Sequence, residues 1–245
     1  MTLIVDEVML REPNLLIPGK KPVGNVKIDW DHPLTKPAFS VIPMRSDGGL
    51  YTFDRKNNFS FTGNIEPSIG GIGAKFVQSS SDTAAIDYTF GFVNYPFTLE
   101  VLVSVNPNST DQLLMGIVDA SLGTRQWGLY VSTINDFRLV ARNTTSRITS
   151  SGVTAVANTV YHVVGRFITN TSRKIYVNGG AETEGTDRAD WSVEADRVCL
   201  GYWGDSSTSA WMDGTIYMAN LYNSDISVEE IKSRAADPYQ FLIPA

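Results

Sequence analysis

The chain has 245 residues, of which 42% are hydrophobic and 19% charged, with a formal net charge of −6. That is enough chain to bury a large core in one domain, and it is too acidic to offer the basic face a nucleic-acid backbone requires. The longest apolar runs fall far short of the roughly 20 residues of a membrane span. A single cysteine, Cys199, leaves no internal disulfide and no multi-cysteine metal site.

Taken in order, residues 1–27 differ in character from the rest of the chain. Asp6, Glu7, Arg11 and Glu12 interrupt any signal-peptide run, so a cytoplasmic start is expected. Pro13, Pro18 and Pro22 then arrive at short intervals, which fixes φ, removes donors and predicts an extended arm. Within it Leu15, Leu16 and Ile17, followed by Lys20 and Lys21, need a surface to lie on. That surface is either the chain's own domain or a neighbouring subunit. Residues 28–245 are expected to form a single sandwich domain.

From Ala38 onward the pattern is strand, turn, strand. Phe97, Leu99, Val101, Val103 and Val105 alternate with Thr98, Glu100, Leu102 and Ser104, giving one apolar face. Short runs of the same kind recur at 58–62, 73–78, 84–90, 112–118, 126–133, 136–142, 197–203 and 211–222, separated by Asn, Asp, Gly, Ser and Pro clusters. The most regular piece, Thr159–Gly180, reads as a hairpin closed by an Asn178-Gly179-Gly180 turn. The sheets this implies are antiparallel and cover one another, an all-β two-sheet sandwich of jelly-roll type. One short helix is predicted over Val228–Ala236, with Ser227 as N-cap, Glu230 as its capping-box partner, and Ile226 and Ile231 as a hydrophobic staple. Asp237-Pro238 ends it, and the apolar Tyr239–Ile243 needs a groove to pack in.

Chemistry is hard to find. The two histidines, His32 and His162, are too few for a histidine metal cluster, and a lone strand histidine such as His162 is usually a packed or hydrogen-bonded structural residue. No Gly-x-Ser-x-Gly elbow supports a serine nucleophile. The string nearest to a glucanase Glu-x-Asp-x-Glu strand is Glu194-Ala195-Asp196-Arg197-Val198, which lacks the last acid, and Glu100 stands alone on its strand. Gly70-Gly71-Ile72-Gly73-Ala74 leads into a strand, whereas a phosphate cradle leads into a helix. Neither a cofactor nor a metal is expected. The one candidate ligand surface is Tyr202, Trp203 and Asp205 with Trp211 and Asp213, rings and acids of the kind that hold a sugar. The commoner fate of such tryptophans is packing.

Together these segments resemble the laminin G-like branch of the concanavalin A-like lectin/glucanase sandwiches. The likeness rests on Phe97-Thr98-Leu99-Glu100, Tyr161-His162-Val163-Val164-Gly165, and Lys174-Ile175-Tyr176-Val177-Asn178-Gly179. It continues through Leu200-Gly201, Met212-Asp213-Gly214-Thr215-Ile216 and the helix start at Ile226–Ile231. Pro13–Pro22, Ile28–Thr35 and the ending Asp237–Phe241 are similar to the leader and tail of such proteins in tailed bacteriophages. The acid and arginine common in the family's closing strand are missing from Gly214–Asn220. The resemblance implies a non-enzymatic virion protein. The first expectation is a capsid decoration or cement protein, bound to the major capsid protein and to copies of itself as a dimer or trimer. The alternatives are a tail-fibre or baseplate adhesin for host polysaccharide and, less favoured, a glycan-cleaving enzyme.

Overall fold

The structure is a computed structural model. It describes residues 26–29, 31–33, 38–43, 53–54, 60–62, 66–67, 73–81, 83–87, 94–119, 125–191, 197–203 and 210–244. The expected arm contacts Leu15, Leu16, Ile17, Lys20 and Lys21, and Asp205 of the expected sugar site, lie outside the described residues.

In chain order the first strands are β1 (Val26–Ile28), β2 (Ala38–Pro43), β3 (Phe53–Asp54), β4 (Ser60–Thr62), β5 (Glu66–Pro67) and β6 (Ala74–Phe76). After a 3-10 turn at Gln78–Ser80 come β7 (Thr83–Asp87), β8 (Phe97–Val105), β9 (Gln112–Val118), β10 (Arg125–Val131), β11 (Asp136–Asn143) and β12 (Thr145–Thr154). The chain continues through β13 (Val160–Thr169), β14 (Ser172–Val177), β15 (Thr183–Gly185), β16 (Arg197–Leu200) and β17 (Gly214–Tyr222). Helix α1 (Val228–Ala236) and β18 (Leu242–Pro244) complete it.

These elements make the sandwich the alternation predicts. Among the described residues one sheet runs β12-β11-β10-β9-β16-β7-β4. The other runs β15-β14-β13-β8-β17-β2-β3, with β6 beside β17 and β5 beside β6. Each strand pairing is antiparallel. At the end of the expected arm, Val26 and Lys27 belong to β1, which pairs with β18 at the other end of the chain.

Period-2 geometry fills the space between the sheets. Phe97, Leu99, Val101, Val103 and Val105 of β8 meet Tyr161, Val163 and Phe167 of β13, and across the gap Trp127, Leu129 and Val131 of β10. The Asn178-Gly179 turn takes the left-handed backbone expected of it, with φ of 53° and 65°. The predicted strand 197–203 stops at Leu200, because Gly201 turns the chain with φ 75°. A Cβ there would stand 2.4 Å from the Phe76 ring.

The outer face of the β8 sheet departs from simple alternation. It is not open to water: α1 and the C-terminal tail lie on it, burying Leu102, Val164, Tyr176, Met218 and Tyr222 beneath Ile231, Tyr239, Phe241 and Leu242. The helix begins as its sequence dictates. The Glu230 backbone N–H donates to Ser227 Oγ at 3.2 Å, and the Ser227 N–H donates to Glu230 Oε2 at 2.6 Å. Ile226 and Ile231 are both buried in this second core.

Candidate functional site

The other sheet keeps part of its outer face accessible. On β11, Phe137, Leu139 and Ala141 enter the core, so Arg138, Val140 and Arg142 turn outward. On β10, Trp127, Leu129 and Val131 go in and Gln126, Gly128 and Tyr130 come out. Register sets Gln126 opposite Arg142, Gly128 opposite Val140 and Tyr130 opposite Arg138. On β12, Ser146 lies opposite Arg142 and Ile148 opposite Val140.

A pair of facing glycines shapes this surface. Gly116 on β9 and Gly128 on β10 are cross-strand partners, and between them they leave bare backbone. The Trp203 indole lies on that bare patch. A Cβ at Gly128 would stand 2.8 Å from Trp203 Cη2, and one at Gly116 3.0 Å from Cζ3. Trp203 is thus 5% exposed and forms a small outer core with Leu113, Val118, Tyr130, Val140, Cys199 and Ala210. Cys199 is buried there, as its apolar neighbours predict.

Beside this outer core opens a groove of about 480 Å³. Its floor is the remaining accessible edge of Trp203, Tyr130 and Val140. Ser109, Thr110 and Asp111, from the β8–β9 connection, line one side, and Gln126, Arg142, Ser146 and Ile148 another. Asp111 Oδ1 accepts from the Thr133 backbone N–H at 3.0 Å, which fixes its carboxylate at the rim. Burial pushes the Tyr130 phenol up to about 12, against the opposing pull of Arg138, so it stays protonated. Arg138 is committed, with Nε 2.7 Å from Asp136 Oδ1. Burial would raise the Asp136 carboxyl, but hydrogen bonds from Ser132, Ser150 and Arg138 outweigh it and hold it below the usual range. Polar donors and acceptors over an apolar floor suit a polyhydroxylated ligand. Among the described lining residues Asp111 is the only carboxylate.

The residues expected to hold a sugar divide between different places. Trp203 reaches the groove, but mostly as packing. Tyr202 and Trp211 pair with each other instead, rings stacked 3.9 Å apart at 11°. Asp213 ties two loops, its Oδ1 accepting from Asn106 Nδ2 at 3.2 Å and its backbone N–H donating to Gln112 Oε1 at 2.8 Å. Sequence reasoning missed Gln126, Arg142 and Ser146. The outward parity of Asp136–Asn143 was a signal for Arg142. Nothing in the sequence, however, said which outward residues a glycine-seated tryptophan would leave accessible.

His162 and Glu100 also meet, in a place hidden from solvent. His162 Nε2 lies 2.6 Å from Glu100 Oε1. Glu100 Oε2 accepts from Asn220 Nδ2 and Tyr222 OH, both at 2.6 Å, and from Arg234 Nη1 at 2.9 Å. Glu100, Asn220 and Arg234 are each 0% exposed. Burial alone would raise the Glu100 carboxyl. The Arg234 charge opposes this, and with the His162 and Asn220 hydrogen bonds it holds the group well below the usual carboxylate range. An acid sealed under α1 in this way is a fastening between helix and sheet.

A second cleft, about 470 Å³, lies at Asn94, Tyr95, Asn170, Asp190 and Trp191. Its aromatic groups are tied inward. Tyr95 OH donates to the Ala189 carbonyl at 2.6 Å and accepts from Trp127 Nε1 at 3.0 Å, and Trp191 packs against Phe97 and Trp127. Among the described residues no group of three or more His, Cys, Asp or Glu is placed to hold a metal ion.

Comparison with known proteins bears on the fold. A laminin G family model, described as the concanavalin A-like lectin/glucanases superfamily, matches residues 78–232. No curated protein sequence matches the chain. Among solved structures, the sialidase of Trypanosoma rangeli is similar with a TM-score of 0.60 and 17% identity, over 84% of this chain and 34% of that one. The binding domain of botulinum neurotoxin serotype D gives 0.60 and 12%, over 81% of this chain and 51% of that one. Domain 4 of AbnA, an extracellular arabinanase from Geobacillus stearothermophilus solved with arabinotriose, gives 0.57 and 12%, over 80% and 87%. The chain therefore spans about a third of the sialidase, half of the toxin domain and most of the arabinanase domain. At these identities the likeness is one of fold.

Proposed function

The chain belongs to the concanavalin A-like lectin/glucanases superfamily, and on that premise we propose that it is a non-enzymatic glycan-binding protein. The groove on the outer face of the β10–β11–β12 sheet is its binding site. The observation that carries this reading is the convergence of Gln126, Arg142, Ser146, Thr110 and Asp111 on one groove with an aromatic floor. Hydroxyl-rich ligands are held by such polar groups over apolar surface. The arabinanase domain solved with arabinotriose, which shares this fold, supports it by analogy. Two-carboxylate hydrolysis needs an acid pair about 5–10 Å apart across the scissile bond. The groove's described lining holds Asp111 alone, and Glu100 is fully buried elsewhere. A glycan array probed with the full chain, beside a Ser146→Trp variant that fills the groove from an exposed position, tests the reading. Specific binding lost in the variant is the expected result. An array without hits, or unchanged binding by the variant, would overturn it.

A second reading concerns where such a module works. The likeness of Pro13–Pro22, Ile28–Thr35 and Asp237–Phe241 to phage-encoded proteins favours a virion component, either an adhesin on the tail or a decoration protein on the head. In the latter case its partners are the major capsid protein and sister copies, and residues 1–25, upstream of β1, are the attachment arm. A chain lacking residues 1–25 is expected to remain folded but to stop co-sedimenting with capsids. Undiminished co-sedimentation would sink the decoration role.

A further inference from the structure

We propose that the groove is selective for acidic saccharides and that Arg142 is the residue that reads their carboxylate. The inference rests on the glycan-binding reading above and names the ligand class for the same site. β11 presents two outward arginines, and their situations differ. Arg138 is neutralised by Asp136, its Nε 2.7 Å from Oδ1. The Nε atoms of both arginines are buried without a hydrogen bond. What sets Arg142 apart is that no carboxylate pairs with its guanidinium among the described residues, as Asp136 does with Arg138. A guanidinium donates through a rigid planar fork that matches a carboxylate with two parallel bonds.

The neighbours of Arg142 suit a sugar acid. Cross-strand register places Gln126 on one side of it and Ser146 on the other. Ser146, exposed, offers a hydroxyl to ring and glycosidic oxygens without competing for the charge, while Gln126, 4% exposed, forms the groove wall. Asp111 lines the same groove, its Oδ1 accepting from the Thr133 backbone N–H at 3.0 Å, and forms no ion pair with Arg142 among the described residues. Ile148, 48% exposed, offers apolar contact beside Val140. The chain carries a net charge of −6, so no long-range attraction draws an anion to it. Repulsion between exposed charges is screened beyond about 8 Å at physiological salt, which leaves the contact itself to decide. Selectivity for acid must therefore come from one well-placed cation.

The test uses the full chain and an array of matched oligosaccharides, oligogalacturonides beside their methyl esters and sialylated glycans beside their asialo forms. Hits are titrated against wild type, Arg142→Gln and Arg142→Lys. Expected is at least tenfold tighter binding of the acidic member of a pair. Arg142→Gln should weaken the acidic member at least tenfold more than the neutral one, and Arg142→Lys should restore part of the preference. Equal binding of acidic and neutral members, or an Arg142→Gln variant that weakens both alike, would overturn the acidic selectivity and leave the glycan reading standing. No binding to any member would bring down both.

Discussion

At the scale of single residues, the most consequential positions are the two that carry no side chain. Gly116 and Gly128 are inconspicuous in the sequence, yet they clear the seat for Trp203 and so set the floor of the groove. Gly128→Ala would bring a methyl to 2.8 Å from Cη2 of the indole and 2.9 Å from the Met115 carbonyl oxygen, which belongs to backbone and cannot yield. Overpacking of this kind costs about 1–3 kcal/mol. The variant is expected to unfold at lower denaturant, with a shifted tryptophan emission and weakened glycan binding. An unchanged emission spectrum and midpoint would show that the ring is not seated on these glycines. Trp203 itself was legible as a candidate, and the general tendency of tryptophan to pack explains why it serves as floor. The pairing of Tyr202 with Trp211 was not legible, because adjacent residues at a turn send their rings to different places.

At the scale of elements, the helix and the strand beneath it tell complementary stories. Ser227, Glu230, Ile226 and Ile231 were readable as a helix start, since capping and stapling are local in sequence. What the helix does was not readable. Arg234 reaches a carboxylate 134 residues away and stacks over the Tyr222 ring at 4.8 Å. Removing one member of a buried, hydrogen-bonded ion pair costs about 3–5 kcal/mol. Arg234→Met should therefore lower stability by that order in a urea titration, with amide exchange rising first in α1 and β18. Adding Glu100→Leu to it should restore part of the loss, because no buried charge then remains unpaired. A double variant less stable by the sum of the single losses would argue that the two residues are not coupled.

At the scale of the whole molecule, the same fastening gives stability a predictable pH dependence. The Glu100 carboxyl sits below its ordinary 4.5 in the folded chain, and Asp136 is shifted in the same direction. As pH falls through the ordinary range, the unfolded chain takes up protons that the folded chain still refuses, so acid favours unfolding. The contribution is complete at neutral pH and is lost progressively below 4.5. Urea midpoints are expected to hold level near neutrality and then fall steeply in acid, with a shallower fall in Glu100→Gln. Equal acid slopes for the two proteins would show that Glu100 does not carry the effect. The sequence by itself determined most of the strands, though not β12, together with the Asn178-Gly179 turn, the helix and the two-sheet sandwich, since alternation, turn chemistry and capping act between near neighbours. Only the tertiary structure decided which outward faces stay open. α1 and the tail closed the face over Glu100 and His162, and a tryptophan from beyond β16, laid on two glycines, left a groove beside Arg142. Those outcomes depend on contacts between residues distant in the chain, which no local pattern records.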